Sequence, residues 1–319
     1  MSARAAPVVS VLMAVHDGRR HLREALESLF AQTFDDFELV LVDDASTDDS
    51  RAIAESYGDA RVRILANDEN LGLTRSLNRG LAVARGRYVA RLDADDVAHR
   101  ERLALQVAHL DRHPDLALVA SAYRRIDEDG GARGERHVPL SSTAIRWHLL
   151  FLNAFAHSSV TFRRSVAESL GGYDDAVRYP QDYELWSRIA AGHDVAALPQ
   201  CLVSYRHSES SMTTALDDDG GADEMTAISR QNIDRVCPGL GAVLDRDTVW
   251  RLLFTGARDV ALSDARRIVR PVLVLQSAFA RHYGLTRREA LAHRGSVVRA
   301  ICGGLGRAAA SSLRATYTR

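Results

Sequence analysis

Four short apolar runs before residue 93 each end in a polar cluster, and amphipathic stretches separate them. Val8–Val15, interrupted only by Ser10, stops at His16-Asp17-Gly18. A continuous apolar run of this length suits a strand covered on both faces. Leu22, Ala25, Leu26 and Leu29 then recur at helical spacing through about Gln32. Phe37–Val42 predicts a second strand, ending in Asp43-Asp44. Ser46 or Thr47 is placed to cap the next helix, which runs to about Tyr57 and closes at Gly58-Asp59. Val62–Leu65 predicts a third strand, Asn67–Gly72 a polar loop, and Leu73–Ala84 a helix closed by Gly86. Tyr88–Leu92 predicts a fourth strand, running into Asp93-Ala94-Asp95-Asp96. This alternation means βαβ units and a parallel sheet with right-handed crossovers. In such sheets ligands sit beyond the carboxyl ends of the strands. The clusters His16-Asp17, Asp43-Asp44, Asn70-Leu71-Gly72 and Asp93–Asp96 all fall at that edge.

Composition narrows the chemistry. The chain has 319 residues, 46% of them apolar, enough for one or two domains with a real core. All 41 basic residues are Arg. A chain without lysine has no Schiff-base chemistry, no lysine-bound PLP and no Walker-type phosphate lysine. Arg is too basic to act as a general base, so proton transfer falls to Asp, Glu, His, Tyr or Cys. Cys201, Cys237 and Cys302 lie far apart with no zinc or CxxC spacing, which points to a reducing compartment. No run reaches the roughly 18 apolar residues of a membrane span. Arg4 and the following apolar stretch imitate a signal peptide, but the stretch ends in His16-Asp17-Gly18-Arg19-Arg20 without a small-x-small site. It reads as a buried strand.

Further on, the pattern predicts a helix over Arg102–Leu110, a strand over Leu116–Ser121, and a turn-rich hairpin or loop over Asp127–Gly134. Helix follows over Ile145–Leu152, strand over Ser158–Phe162, and helix over Ser165–Leu170, ending at Gly171-Gly172. Asp182 can begin a helix over Tyr183–Ala191, ahead of short strands Val195–Leu198 and Leu202–Tyr205. Asp217–Asp223 reads as a charged, Gly-rich linker. Four helices are predicted beyond it: Thr248–Leu262, Arg266–Tyr283, Arg287–Ala292 and Val297–Leu313. Charge is uneven: residues 1–239 carry 27 Arg against 37 Asp and Glu, and residues 240–319 carry 14 Arg against 5. The basic tail implies either an anionic partner, such as lipid headgroups, or a helical appendage packed on protein.

Asp93-x-Asp95 leaves a buried strand with two carboxylates one residue apart, a spacing that can converge on a hard cation. Mg²⁺ or Mn²⁺ bound this way takes one or two carboxylates and completes its shell with phosphates and water. Asp43-Asp44 supplies strand-end carboxylates that can accept a base N–H or a ribose hydroxyl, alongside capping by Ser46 or Asp48. There is no GxGxxG after the first strand, which argues against a dinucleotide fold.

Together these residues resemble a family. Ser10-Val-Leu-Met-Ala-Val-His16-Asp17, Gln32-Thr33-Phe34-x-x-Phe37-Glu38-Leu39, Val42-Asp43-Asp44-Ala45-Ser46-Thr47-Asp48, Asn70-Leu71-Gly72, Asn78-Arg79-Gly80, Gly86-x-Tyr88 and Leu92-Asp93-Ala94-Asp95-Asp96 look like the N-terminal half of family 2 inverting glycosyltransferases of the GT-A fold. His157-Ser-Ser-Val160, Gly171-Gly172-Tyr173-Asp174 and Gln181-Asp182-Tyr183-Glu184-Leu185-Trp186-x-Arg188 continue the match, which covers about residues 7–212. The resemblance implies an α/β fold: a GT-A-like, mostly parallel central sheet flanked by helices, with a C-terminal helical extension. Residues 1–215 would be the catalytic domain, 216–239 a charged Gly-containing linker and 240–319 a basic helical extension.

The resemblance also implies roles. Asp44 would bind the base of a sugar nucleotide, with Ala14 and His16 lining the same pocket. Gly72, Asn78, Asp93 and Ala94 complete the donor set, Asp93 near the ribose and sugar. Asp95 would hold a divalent cation on the diphosphate, with His207 closing over it. Asp182 would be the general base, its other reading being an N-cap. Tyr173, Tyr179 and Trp186 are candidates to stack on an acceptor sugar. The pattern departs from the family at His16-Asp17, where an aromatic and Asn are usual, and at Ala45, where Gly is usual. The expected reaction is an inverting displacement on a nucleoside-diphosphate sugar by a hydroxyl of a glycan or lipid-linked acceptor. The expected setting is cytoplasmic, with peripheral membrane contact through the tail and no nucleic-acid partner. The alternatives are a nucleotidyltransferase that makes the sugar nucleotide, and a non-catalytic binding descendant.

Overall fold

The computed structural model describes residues 6–207, 221–255 and 261–317. The chain divides into two compact units: Met1–Arg146 with Asn153–Glu224, and Trp147–Leu152 with Met225–Arg319.

The first unit is built on a nine-stranded sheet. Its strands are β1 (Val9–Val15), β2 (Phe37–Asp43), β3 (Val62–Ala66), β4 (Tyr88–Arg91), β5 (Val97–Ala98), β6 (Leu116–Ile126), β7 (Ala132–Arg136), β8 (Thr161–Arg163) and β9 (Asp194–Arg206). Its helices include α1 (Leu22–Phe30), α2 (Ser50–Glu55), α3 (Leu73–Val83), α4 (Arg102–Arg112), α6 (Arg164–Ser169) and α7 (Gln181–Gly192). Helix α5 (Ser142–Leu149) spans the point where the chain first leaves this unit. The order across the sheet is β3-β2-β1-β4-β8-β6-β9-β5, with β7 also paired to β6. The run β3-β2-β1-β4 is parallel throughout, as the alternation requires. Beyond it the sheet is mixed: β8 lies antiparallel between β4 and β6, β9 runs parallel to β6, β5 pairs antiparallel with β9, and β7 antiparallel with β6.

Local sequence explains the packing. Every residue of β1 and β2 is buried, which is why those runs carry no polar alternation. Helix α1 buries Leu22, Ala25, Leu26 and Leu29, the stripe read from the sequence. Gly86 is fixed by close approach: a Cβ there would lie 2.3 Å from the Ser10 backbone nitrogen.

Three expectations are corrected. Helix α2 starts at Ser50, not at a Ser46 or Thr47 cap. The Ser46 hydroxyl instead accepts from the Asp17 N–H, and the Thr47 N–H donates to the Asp17 carboxylate. The two short strands near residue 200 are one, β9. Its register against β6 jumps from Ser121↔Leu198 to Ala122↔Cys201, so Pro199 and Gln200 are left out of the pairing. Proline has no N–H to give the ladder, and the resulting irregularity made one strand read as two. The strand expected over Ser158–Phe162 opens as a 3₁₀ turn, His157–Ser159, before β8.

The second unit is helical: α8 (Gly221–Val236, joined from Met225), α9 (Arg246–Trp250) with a π turn (Arg251–Thr255), α10 (Leu262–His282) and α11 (Arg287–Tyr317). Its core gathers Trp147, Phe151, Ile233, Val249, Leu252, Ile268, Val272, Leu275, Phe279, Val297 and Ile301. The expected linker 216–239 is in part helix α8, and residues 216–220 lie outside the described residues. Its inward face is not purely apolar, because buried Ser229 and Asn232 donate to the carbonyls of Leu150 and Leu149. That polar substitution masks the helical stripe. The two helices expected over Arg287–Ala292 and Val297–Leu313 are the single helix α11. Among the described residues no helix is long and apolar enough to cross a membrane.

Candidate functional site

The carboxyl ends of β1, β2 and β4 bring the polar clusters together. At the first two, the loops are cross-linked. His16 Nδ1 lies 2.8 Å from the Asp44 carbonyl, the Gly18 N–H donates to Ser50 Oγ at 2.9 Å, and the Arg19 N–H donates to Asp48 Oδ2 at 3.0 Å. Asp17 and Ala45 both take left-handed backbone conformations, with φ of 51° and 55°. Glycine at position 45 would hold that conformation without cost, which explains why glycine is usual there.

Asp44 is buried and heavily bonded. Its Oδ1 accepts from Asn67 Nδ2 at 2.6 Å and from the Leu71 N–H at 2.8 Å, and its Oδ2 accepts from the Gly72 N–H at 2.9 Å. This carboxylate therefore pins the Asn70–Gly72 loop at the start of α3, where Gly72 has a φ of 84°. Ala14 lies inside β1, paired with Val42. Asn78 is engaged elsewhere: its amide bonds the N–H and carbonyl of Tyr173 and the Asp175 carboxylate.

At the end of β4 the carboxylates differ from one another. Asp93 Oδ1 accepts from Arg91 Nη2, and its Oδ2 accepts from Ser158 Oγ at 3.1 Å. Burial opposes its charge, but the Arg91 cation and these bonds prevail and hold its carboxyl below the usual range. At Asp95 a backbone hydrogen bond and the Arg206 charge are outweighed. Burial, then the charges of Asp93 and Glu128, push its carboxyl up to about 6. Asp96 is buried further, its Oδ1 accepting from the Arg206 N–H at 2.7 Å while Oδ2 has no hydrogen-bond partner among the described residues. Burial and its two acidic neighbours raise its carboxyl well above the ordinary value. Arg206, at the end of β9, is itself buried and ties Glu24 to the carbonyls of Asp95, Asp127 and Glu128. His207 follows it, exposed, with its N–H on the Ile126 carbonyl.

Asp182 is half-buried in the first turn of α7. Pro180 occupies the cap position and no side chain caps this helix, so the capping reading is corrected. Asn153 Nδ2 donates to Asp182 Oδ2 at 2.6 Å, and the Tyr183 N–H lies 2.7 Å from Oδ1. Burial nevertheless pushes the Asp182 carboxyl up to about 6, with the charge of Asp93 adding to the rise and that of Arg91 opposing it. Asp182 and Asp93 thus share one electrostatic environment.

Residues 10–171 match the family model described as Glycosyl transferase family 2. This chain belongs to that family. The amylovoran biosynthesis glycosyltransferase AmsE of Erwinia amylovora is 36% identical over 202 residues, covering 62% of this chain and 75% of AmsE. The O-antigen biosynthesis glycosyltransferase WbnJ of Escherichia coli is 31% identical over 224 residues, covering 68% and 86%. Among solved structures, S. aureus TarS 1-349 in complex with UDP-GlcNAc aligns with a TM-score of 0.63 at 16% identity, over 96% of this chain and 91% of TarS. The mannosyltransferase PcManGT from Pyrobaculum calidifontis, in complex with GDP-Man and Mn²⁺, aligns with a TM-score of 0.52 at 19% identity, over 94% and 87%. The fold is of the GT-A type.

In this family 2 glycosyltransferase the Asp93–Asp96 edge suits a cation. Asp95 is half-buried beside the charges of Asp93 and Glu128, which leaves negative charge there for a cation to offset. Among the described residues no three His, Cys, Asp or Glu side chains form a ready-made cage. A cation completed by phosphate oxygens does not need one. The aromatic candidates fare differently: Trp186 and Tyr173 are buried, and only Tyr179 is partly open. Arg91, His157, Ser158, Asn153 and Arg206 had no assigned role in the sequence reading. Arg91 carried a signal, as a charged residue ending a four-residue strand that is otherwise apolar.

Proposed function

We propose that this family 2 glycosyltransferase moves a sugar, with inversion, from a nucleoside-diphosphate sugar to a hydroxyl of a glycan or lipid-linked acceptor in polysaccharide synthesis. The observation that carries the reading is Asp182: a carboxylate raised to about 6, sharing its environment with the Asp93–Asp96 edge. The names of AmsE and WbnJ support a polysaccharide setting, and the ligands of TarS and PcManGT support a nucleotide-sugar donor.

Asp182 accepts the proton of the acceptor hydroxyl as it attacks the anomeric carbon. A base with a raised pKa is ionised at neutral pH yet retains proton affinity. The loop pinned by Asp44, with Ala14, His16 and Gly72, receives the nucleotide base, and Asp93 and Ala94 face the ribose and sugar. The Asn78 amide bonds to the 173–175 loop, so Asn78 supports the site from behind. Asp95, with His207, would hold Mg²⁺ or Mn²⁺, which supplies charge neutralisation on the departing diphosphate. Without lysine, further phosphate contacts come from Arg or backbone N–H groups. A nucleotidyltransferase would need the basic phosphate loop that this chain lacks. Retention of Asp44, Asp93, Asp95 and Asp182 weighs against a non-catalytic descendant.

The tail fits peripheral contact with an anionic membrane on the cytoplasmic side. On α11, exposed Leu291 and Val298 are flanked by exposed Arg287, Arg288, Arg294 and Arg299. An apolar stripe rimmed by arginine is complementary to acidic headgroups. Flotation with anionic liposomes should be lost when these four arginines become Glu; retained flotation removes the membrane reading.

The donor reading is tested by thermal shift with a panel of nucleoside diphosphates and sugar nucleotides, with and without Mn²⁺. One nucleotide should stabilise the protein only when the cation is present. NMR of the transferred sugar should show inverted anomeric configuration. No metal-dependent shift with any nucleotide would overturn the reading.

A further inference from the structure

Three motif segments have no reacting role in the proposed chemistry: Asn78, Gly172-Tyr173 and His157. The structure joins them in one line, buried at Tyr173, His157 and Arg91, that ends on Asp93. Arg91 is fully buried, and its guanidinium is used on three sides. Nη1 donates to the carbonyls of Leu12 and Leu92, Nη2 donates to Asp93 Oδ1, and Nε donates to His157 Nε2 at 2.9 Å. A ring nitrogen that accepts from a guanidinium is unprotonated, which leaves the imidazole proton on Nδ1. Burial and the Arg91 charge hold His157 down to about 3, so it stays neutral at any working pH. The Tyr173 hydroxyl lies beside the guanidinium, 3.0 Å from the same His157 nitrogen, and shares its single lone pair. Tyr173 is held in turn by Asn78, whose Oδ1 accepts from its N–H at 2.9 Å and whose Nδ2 donates to its carbonyl at 2.8 Å. Gly172 makes room for this clasp: at a φ of 77°, a Cβ there would lie 2.7 Å from Asn78 Oδ1.

The geometry points to His157 as a positioning residue that, with Tyr173 behind it, fixes Arg91 and thereby aims the Asp93 carboxylate at the donor. The inference rests on the reading that Asp93 faces the donor. A buried guanidinium with an unfilled Nε would tilt toward another acceptor, and Asp93 Oδ1 would move with it. Ser158 alone would then hold Asp93, through its N–H at 2.9 Å and its Oδ2. A misplacement of about 1 Å at a reacting group costs on the order of 100-fold in rate.

The test compares His157→Leu, His157→Gln and Asp93→Asn, with the double variant His157→Leu/Asp93→Asn, in the full chain. Leu keeps volume without an acceptor, and Gln restores an acceptor oxygen at similar reach. Leu29→Ala, in the buried face of α1, serves as a control for lost stability. His157→Leu should lower kcat about 100-fold with nucleoside diphosphate affinity within about threefold of wild type. His157→Gln should recover most of that loss, and Leu29→Ala should leave kcat unchanged at matched loss of Tm. Adding His157→Leu to Asp93→Asn should cost almost nothing more, because the relay acts through Asp93. The relay is overturned if His157→Leu turns over normally, or if the two losses multiply. Normal transfer by Asp93→Asn would overturn the donor role of Asp93 and the relay together, while an impaired Asp93→Asn beside a normal His157→Leu overturns the relay alone.

Discussion

Asp44 and Asp95 are the same side chain at the same edge of the same sheet, yet their surroundings oppose each other. Asp44 accepts three hydrogen bonds from Asn67, Leu71 and Gly72. Asp95 is pushed up to about 6 by burial and by Asp93. Asp182 resembles Asp95, raised to about 6 despite its bond from Asn153. The contrast teaches that N–H donors meet one carboxylate while burial outweighs the donors around the other two; on the proposed function the first builds the site and the others serve a ligand or a proton.

Exchanging each carboxylate for its amide sharpens this contrast. Asp182→Asn should have the largest effect, a loss of about 1000-fold in kcat with nucleotide affinity within twofold. At pH 7.5 removing a charge that burial disfavours offsets the hydrogen bond an amide nitrogen cannot accept, so Tm should change little. Asp95→Asn comes next: the Mn²⁺-dependent thermal shift by nucleoside diphosphate should fall at least about tenfold in apparent affinity. Asp44→Asn should show the opposite profile. Its amide nitrogen cannot accept from N–H groups, so urea unfolding should report a loss of about 1–3 kcal/mol. If Asp44→Asn is as stable as wild type, the division between building and functional carboxylates fails.

Linkage gives a smaller effect with a definite sign. Asp95 and Asp182 have folded-state values raised from the ordinary 3.8 to about 6. The folded state therefore binds more protons than the unfolded state between those values, and their stabilisation is present below pH 3.8 and lost as pH rises through about 6. Without cation, stability should decline across that window, and Asp95→Asn with Asp182→Asn should flatten the decline. The smallest effect belongs to Ala45→Gly, which relieves a left-handed φ of 55° and should stabilise by no more than about 1 kcal/mol.

The parallel half of the sheet was legible because each buried strand announces itself as an apolar run with polar punctuation. The second half was harder. Pro199 and its neighbour drop out of the β6 pairing and made β9 read as two strands, while Ser229 and Asn232 hid the apolar face of α8. Within the site, strand-end clusters pointed to Asp44, Asp93 and Asp95, while Asp182 came only through the family resemblance. Their division of labour was not legible, because it depends on which N–H groups reach each oxygen from elements distant in sequence. The same holds for the buried Arg91–His157 pair, 66 residues apart. Asn78 shows the limit from the other side. Its motif marked it as important, but only the structure ties its amide to Tyr173.

The central claim is that Asp182 is a base with a raised pKa. The most direct measurement is the single-turnover transfer rate of the wild-type enzyme between about pH 4.5 and 8, with nucleotide binding followed on the same samples. Transfer requires the ionised carboxylate, so with nucleotide and cation kept saturating at every pH the rate should be level above about 6.5 and fall toward tenfold per unit below about 6. A rate that stays level down to pH 4.5 with binding intact would contradict the account.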